Sequence, residues 1–169
     1  MIKVGLLGAG RIASVHATAI SNHPLSNLAA VADINNTAAL KIANRYGCEV
    51  KDIEEIFFDQ SINAVLIATP TNTHSELLER ATAAGKAVLC EKPVDLDLAR
   101  ARECQSQIKK TGLPVMIGFN RRFDPNFSAL QNALVEGEIG KPELLSITSF
   151  DPAPPPIEYV KSSGGLFKD

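Results

Sequence analysis

The sequence predicts an α/β fold in which helices cover both faces of a parallel sheet, that is, a doubly wound sheet. Short apolar runs typical of buried parallel strands alternate along the chain with stretches of helical periodicity. Right-handed crossovers between parallel strands place the intervening helices on both faces of the sheet. The composition, 45% hydrophobic and 21% charged residues, is that of an ordinary globular protein rather than a disordered or fibrous one.

The predicted elements alternate from the first apolar run onwards. Apolar runs predict strands at residues 2–7, 28–32, 62–69, 87–90 and 115–119. Helical periodicity predicts helices at residues 11–21, 37–46, 52–58, 73–84 and 96–110. Gly47 and Gly85 each follow one of these helices, where glycine is favoured as a C-terminal cap. Thr73 and Glu76 have the spacing of a capping box, which predicts that the fourth helix begins there.

The chain changes character after residue 120. A helix is predicted at residues 124–136 and a strand at residues 143–150, and a proline-rich segment that suits neither follows at residues 151–156. One helix, one strand and a loop cannot bury a core of their own. We therefore expect a first domain at residues 1–120 and the incomplete start of a second, α+β domain at residues 121–169.

Charge and cysteine content exclude several classes of function. Lys and Arg sum to 17 against 19 for Asp and Glu, so we expect neither a nucleic-acid partner nor a membrane-surface role. No apolar stretch approaches the ~20 residues of a membrane span, and no signal peptide precedes the first apolar run. Cys48, Cys90 and Cys104 are too few and too widely spaced for a disulfide framework or a zinc site. We therefore expect reduced thiols, a cytoplasmic location and no metal.

A glycine-rich segment follows the first predicted strand and opens the first predicted helix. Residues 8–13 read G-A-G-R-I-A and match the pattern G-x-G-x-x-[G/A]. In this pattern the first glycine makes a tight turn, the second lets a pyrophosphate approach the backbone, and the last small residue lets the helix pack on the sheet. The helix N-terminus adds free N–H groups and a partial positive charge. The expected cofactor-binding residues are Gly8, Gly10, Arg11, Ile12 and Ala13.

An acidic residue completes this pattern. Asp33 ends the second predicted strand, 23 residues after Gly10, where a carboxylate accepts hydrogen bonds from ribose hydroxyls and its charge repels a 2′-phosphate. The alternative is a pair of turn glycines with an unrelated surface Asp. With strand, glycines, helix, second strand and Asp in register, the sequence predicts a Rossmann dinucleotide-binding domain. Asp33 favours NAD as the cofactor, although Asn35 and Asn36 leave some room for NADP.

Two further loops follow predicted strands and are expected at the same edge of the sheet. Ligands of open α/β sheets bind outside the carboxyl ends of the strands. Thr69, Pro70 and Asn72 lie there and can line the cofactor. For Thr73 helix capping is a sufficient explanation. For His74 a first-turn helix position and a cofactor-binding role are equally open.

The second of these loops carries Glu91-Lys92-Pro93 directly after the strand predicted at residues 87–90. A lysine between an apolar strand and a rigid proline can point its ammonium into the cleft. There it polarises a substrate hydroxyl or lowers the pKa of a neighbouring base. The alternative is a surface lysine beside Glu91. The position at the carboxyl end of a strand favours the functional interpretation.

Together these motifs resemble one known family, the Gfo/Idh/MocA oxidoreductases. The matching segments are residues 8–13 (GAGRIA), 68–74 (ATPTNTH), 91–93 (EKP), 118–124 (GFNRRFD) and 163–169 (SGGLFKD). They run from end to end of the chain in the family's order, and within the family the pattern is most similar to the inositol 2-dehydrogenases. The resemblance implies NAD-dependent oxidation of a ring hydroxyl of inositol, or of a related polyol or sugar, to a ketone.

The resemblance also assigns roles to single residues. It places Lys92 in the catalytic group, and it implies that the peptide bond before Pro93 is cis. Cofactor contacts are expected from Glu91, Lys92, Asn120 and Arg122. Substrate contacts are expected from Lys92, Asn120, Arg121, Asp151 and Asp169. For the two arginines, the residues alone leave an ion pair with Asp124 as the alternative.

The last residue of the chain matches the start of the family's D-x-x-x-H motif. By that match Asp169 is catalytic, and it helps to place the histidine that takes the hydroxyl proton, four residues further on. Family members are much longer, and their second half walls the substrate pocket and forms the oligomer interface. We therefore expect this chain to bind NAD but to turn over poorly alone, and the parent protein to be a homo-oligomer.

Two other functions compete with the dehydrogenase. The first is a sensor or regulatory module that binds NAD(H) without chemistry. The shortness of this chain favours it here, whereas the Glu91-Lys92-Pro93 motif and the segment at residues 164–169 argue against it for the parent protein. The second is a Rossmann-like domain for another nucleotide, which the position of Asp33 makes the weakest hypothesis.

Overall fold

A six-stranded parallel sheet forms the centre of the computed structural model, which describes residues 1–150, 153–154, 157 and 160. The strand order is β3-β2-β1-β4-β5-β6, and every neighbouring pair is parallel. The strands are β1 (Ile2–Leu7), β2 (Ser26–Ala32), β3 (Glu49–Val50), β4 (Ala64–Ile67), β5 (Ala87–Cys90) and β6 (Val115–Ile117).

Helices connect the strands and continue beyond the sheet. They are α1 (Arg11–Asn22), α2 (Asn36–Tyr46), α3 (Ile53–Phe58), α4 (His74–Ala83), α5 (Leu98–Thr111) and α6 (Pro125–Val135). Two 3-10 turns lie at Thr71–Thr73 and Asn120–Phe123. Within the described part of the chain, every helix is too short or too polar to span a lipid bilayer.

The sheet is buried on both faces, as a doubly wound fold requires. Successive side chains of a strand point to opposite faces, and in β4 Val65 and Ile67 enter one apolar core while Leu66 enters the other. The first core includes side chains of α3, α4 and α5, and the second includes side chains of α1 and α2. The predicted fold class is therefore confirmed.

Two strand predictions differ from the structure. The short edge strand β3 was not predicted, because Glu49 and Val50 are both exposed and show no buried apolar run. The strand predicted at residues 143–150 is wrong, since this segment has no regular structure and Leu144 and Phe150 are 90% and 89% exposed. An alternating pattern needs a neighbouring strand for its hydrogen bonds, and none of the six described strands lies beside it.

The predicted capping box at the start of α4 is also wrong. The Thr73 side chain makes no capping hydrogen bond to α4. Its hydroxyl instead donates to the Pro70 carbonyl at 2.7 Å and lies 2.7 Å from the Thr69 hydroxyl. Thr71–Thr73 form a 3-10 turn at this point, and the His74 N–H at the start of α4 donates to the Thr71 carbonyl.

A surface carboxylate stabilises the connection between β3 and β4. Asp59 follows α3, and its two carboxylate oxygens accept from the Lys51 ammonium at 2.6 Å and from the Ser61 N–H at 2.8 Å. These hydrogen bonds, that from Lys51 above all, hold the pKa of the Asp59 carboxyl well below its usual range. The carboxylate form is thus favoured by folding.

We expect Asp59→Asn to lower the free energy of unfolding at neutral pH. Folding lowers the pKa of the Asp59 carboxyl. Its contribution to stability is therefore complete above the pKa of the unfolded state, about 3.9, and is lost as the pH falls through the lower pKa of the folded state. The wild-type advantage, measured by urea denaturation over a pH series, should shrink below about pH 4. Glu138→Gln, on an exposed carboxylate, is the control and should show no such trend. An advantage that persists undiminished at the lowest pH contradicts this account.

Candidate functional site

The loops that follow the strands meet at the carboxyl edge of the sheet. From β1 the chain moves outward to β2 and β3, and it then returns to the other side of β1 to form β4. This reversal leaves a crevice between the loops after β1 and β4, the place where open α/β sheets bind ligands. The sheet thus brings together the glycine-rich segment, Asp33 and the loop around Lys92.

The two glycines of the first loop have different surroundings. Gly8 has a φ of +99°, and a Cβ there would run into the carbonyl oxygen of Ala68. Gly10 has ordinary extended backbone, and nothing lies within 4 Å of the position that its Cβ would occupy. Gly8 is therefore required by the fold itself, whereas Gly10 leaves open space beside the backbone.

The N-terminus of α1 opens onto that space without a side-chain cap. Gly10 is the N-cap residue, and no acidic residue lies in the first turn. The backbone N–H groups of Arg11, Ile12 and Ala13 are thus available to an external acceptor. Ala13 itself is fully buried against the sheet. Free donors and the positive end of the helix dipole fit the pyrophosphate of a dinucleotide.

Asp33 binds the glycine loop directly. One carboxylate oxygen accepts from the Ala9 N–H at 2.6 Å, and the other accepts from the Asn35 N–H at 2.7 Å. An ionised carboxylate has about four acceptor positions, so two remain for ribose hydroxyls. Ile34 next to it is fully exposed and offers an apolar surface to a flat ring such as adenine. The sequence prediction assigned the ribose to Asp33 but included neither the Ala9 bond nor Ile34.

The loop after β4 presents Pro70 and Asn72 to solvent. Both are exposed, whereas Thr69 is partly buried. The Thr69 hydroxyl is 2.7 Å from that of Thr73, so these two side chains also hold the loop together. Pro70 and Asn72 therefore lie where they can line a cofactor, and Thr69 lies behind them.

His74 is buried between two loops. Its side chain is among the fully buried ones, and the residue is 1% exposed. Ring atom Nδ1 is 2.7 Å from the Pro93 carbonyl oxygen, and Nε2 is 2.8 Å from that of Thr69. In this arrangement both ring nitrogens bind the protein, and the ring joins the loop after β4 to the loop after β5.

The loop after β5 has the expected cis bond between Lys92 and Pro93. Lys92 is partly buried. The neighbouring Glu91 carboxylate lies 2.6 Å from His16 Nε2 of α1 and also accepts the Lys92 N–H at 3.3 Å. A Cβ on Gly118 would lie 3.3 Å from this carboxylate, so the glycine leaves room for it. The contact with His16 was missed in the sequence, because no local pattern connects the two residues.

The remaining predicted residues follow β6. Asn120, Arg121 and Arg122 lie in an exposed 3-10 turn. Each guanidinium stacks on a phenylalanine ring, 5.4 Å from the ring centre for Arg121 and 5.5 Å for Arg122. Asp124 instead caps α6 by accepting two backbone N–H groups, so the ion pair considered as an alternative is not the arrangement observed.

Asp151 and Asp169 lie outside the described residues, so their predicted roles are not tested by the geometry. Among the residues that are described, no group of three or more His, Cys, Asp and Glu side chains could hold a metal ion.

Comparison with known proteins identifies what the chain is similar to. Residues 2–119 match the Gfo/Idh/MocA family, described as an oxidoreductase family with an NAD-binding Rossmann fold. The chain is 51% identical over 168 residues to the inositol 2-dehydrogenase of Rhizobium meliloti (strain 1021), covering 99% of this chain and 51% of that protein. The chain thus spans about half the length of this curated relative.

Solved structures give the same result. A myo-inositol dehydrogenase from Corynebacterium glutamicum matches with a TM-score of 0.92 and 42% identity, over 100% of this chain and 51% of that one. A scyllo-inositol dehydrogenase from Lactobacillus casei, solved with bound NAD(H) and scyllo-inositol, matches with a TM-score of 0.79 and 31% identity over 83% of this chain and 42% of that one. NAD is therefore the cofactor that the family match indicates, and the open space beside Gly10 has room for its pyrophosphate.

The two glycines should respond differently to the same substitution. We expect Gly8→Ala to lower the free energy of unfolding by about 2 kcal/mol or more, because of the positive φ and the contact with Ala68. Gly10→Ala should stay within about 0.5 kcal/mol of the wild type. It should nevertheless weaken NAD binding at least ~10-fold, because its methyl group occupies the space of the pyrophosphate. Urea denaturation and calorimetric titration measure the two effects.

Equal destabilisation by the two substitutions would contradict the structural role given to Gly8. Full NAD affinity in Gly10→Ala would show that the open space beside Gly10 is not the pyrophosphate site.

Proposed function

This chain belongs to the Gfo/Idh/MocA oxidoreductase family, and on that basis we propose that it is the cofactor-binding part of an NAD-dependent polyol dehydrogenase. The proposed reaction oxidises a ring hydroxyl of inositol, or of a related polyol or sugar, to a ketone. The observation that carries the proposal is the position of Lys92. It follows β5 at the same sheet edge as the glycine loop and Asp33, and this shared edge supports a site in which the cofactor-binding groups and a lysine face one crevice.

The first part of the proposed mechanism is orientation of the cofactor. The N–H groups at the start of α1 bind the pyrophosphate beside Gly10, and the free acceptor positions of Asp33 bind the adenosine ribose. Pro70, Asn72 and the turn that contains Arg122 line the remainder of the cofactor. Bound NAD supplies the nicotinamide carbon that accepts a hydride from the substrate carbon.

The second part is polarisation of the substrate. The Lys92 ammonium donates a hydrogen bond to the reacting hydroxyl and stabilises the negative charge that develops as its proton leaves. Asn120, Arg121 and Asp151 bind further hydroxyl groups. By the family's motif, Asp169 helps to place the histidine that takes the proton. Glu91 contacts the cofactor, and its carboxylate also accepts the Lys92 N–H.

The proposal extends to domain organisation and assembly. We place the boundary between the cofactor domain and the substrate domain near residue 120, after β6. At the length of its relatives, the protein would carry the wall of the substrate pocket and a homo-oligomer interface in its second half.

The described thiols suit a reducing compartment, and we place the protein in the cytoplasm. Cys48, Cys90 and Cys104 are all unpaired. Burial raises the pKa of the Cys104 thiol to about 11, and it raises the pKa of Cys90 further. Both therefore stay protonated and unreactive at neutral pH.

We expect the chain to bind NAD at least ~10-fold more tightly than NADP, because the Asp33 carboxylate repels a 2′-phosphate. Asp33→Asn should reduce this ratio, since an amide removes the charge but keeps an oxygen for the Ala9 N–H. Calorimetric titration with each cofactor measures both affinities. Equal binding of NAD and NADP by the wild type would contradict the role given to Asp33.

Replacement of Lys92 separates an enzyme from a sensor. In a protein that carries this chain at the length of its inositol dehydrogenase relatives, Lys92→Met should slow NADH formation from myo-inositol by ~100-fold or more. NAD affinity should change by less than ~3-fold, because Gly10 and Asp33 are untouched. Glu138→Gln serves as the control. NAD binding without NADH formation from any polyol, in wild type and variant alike, would favour the sensor.

A further inference from the structure

Both sequence neighbours of Lys92 are held by histidine side chains. His16 Nε2 lies 2.6 Å from the Glu91 carboxylate, and His74 Nδ1 lies 2.7 Å from the Pro93 carbonyl oxygen. The two histidines reach this loop from opposite faces of the sheet, since α1 and α4 belong to different apolar cores. The Lys92 backbone is therefore held on both sides, through Glu91 by His16 and through Pro93 by His74.

The support from His16 is partly buried. The side chains of His16 and Glu91 are 22% and 17% exposed, so their hydrogen bond competes less with solvent than one between fully exposed groups would. The second oxygen of the same carboxylate accepts the Lys92 N–H at 3.3 Å. The Glu91 N–H in turn donates to the Ile67 carbonyl at 2.9 Å, which continues the pairing of β5 with β4. A shift of His16 would thus be transmitted to Lys92 through one carboxylate.

The support from His74 consists of two contacts between its ring nitrogens and backbone carbonyl oxygens. Both of its partners, the carbonyl oxygens of Pro93 and Thr69, can only accept. Each ring nitrogen thus faces a carbonyl oxygen of a different loop. With 1% of the residue exposed, no ligand reaches the ring. Its effect on a reaction must pass through the two loops that it joins.

We propose that His16 and His74 are positioning residues that fix Lys92 by holding Glu91 and Pro93. The inference rests on the proposed function, in which the Lys92 ammonium contacts the reacting hydroxyl. Misplacement of a catalytic group by about 1 Å can cost on the order of 100-fold in rate, so two such supports matter for turnover. Neither histidine touches substrate in this proposal.

The two ring nitrogens allow a crossed experiment. A Gln amide nitrogen stands near the position of histidine Nε2, and an Asn amide nitrogen stands near that of Nδ1. At His16 the supporting atom is Nε2, so Gln should preserve the contact and Asn should lose it. At His74 the atom that holds Pro93 is Nδ1, so Asn should preserve this contact and Gln should keep only the bond to Thr69.

The readout on this chain needs no turnover. In proton–nitrogen spectra we expect the Lys92 amide signal to shift in His16→Asn and His74→Gln and to stay near its wild-type position in His16→Gln and His74→Asn. His23 is exposed and lies outside the site, so His23→Asn and His23→Gln are matched controls. A loss of packing alone would not reverse the order of Asn and Gln between the two positions. The proposal is overturned if the same replacement, Asn or Gln, causes the larger shift of the Lys92 amide signal at both histidines, or if the two replacements cause equal shifts at both.

The second readout is turnover in a protein of the length of the inositol dehydrogenase relatives. We expect kcat for NADH formation to fall at least ~10-fold in His16→Asn and His74→Gln, with KM for NAD within ~3-fold of the wild type. The two isosteric variants should keep kcat within ~3-fold. If the Lys92 amide signal shifts only in His16→Asn and His74→Gln but the wild type oxidises no polyol, the proposed function is refuted and the positioning role of the two histidines stands. Unaltered kcat in all four variants of an active enzyme would refute the positioning.

Discussion

The place of β1 between β2 and β4 is the constraint on which the site depends. Parallel strands send every following loop to the same edge, and the reversal of strand order at β1 separates the first two loops from the later ones. The crevice between them needs no further element to form it. The glycine loop and Asp33 lie on one side, and the loop that contains Lys92 lies on the other. Loops that the chain places far apart thus meet at one edge of the sheet.

The loops at this edge are held by hydrogen bonds within the protein. Asp33 binds the backbone of Ala9, His74 joins two loops, and His16 binds Glu91. In each case a side chain ties one loop to another element, which limits the motion that the loops could otherwise make. A preorganised site loses less entropy on binding. Cofactor binding therefore has few loop conformations left to order.

Much of this fold could be predicted from local signals, because buried strands are apolar runs and glycines mark helix ends. The strand β3 could not, since it exists only through pairing with β2. The alternation at residues 143–150 was misleading, because alternation indicates which face a side chain would take and not whether a partner strand is present.

The site shows the same division between local and distant signals. The edge position of Asp33 and Lys92 followed from the order of strands. The contact of His16 with Glu91 spans 75 residues of sequence, and no local pattern records it. The burial of His74 likewise depends on the loop after β5, which the residues around His74 do not describe.

The contact of Gly8 with the Ala68 carbonyl has a consequence for inheritance. Two stretches of backbone touch there with no side chain between them to absorb a change in shape. The backbone carbonyl of residue 68 is the same whatever side chain that residue carries, so the contact requires only glycine at position 8. Relatives that share this glycine can therefore exchange the segments around Gly8 and Ala68 separately. A chimera that takes any other residue at position 8 brings a Cβ into the carbonyl oxygen of Ala68.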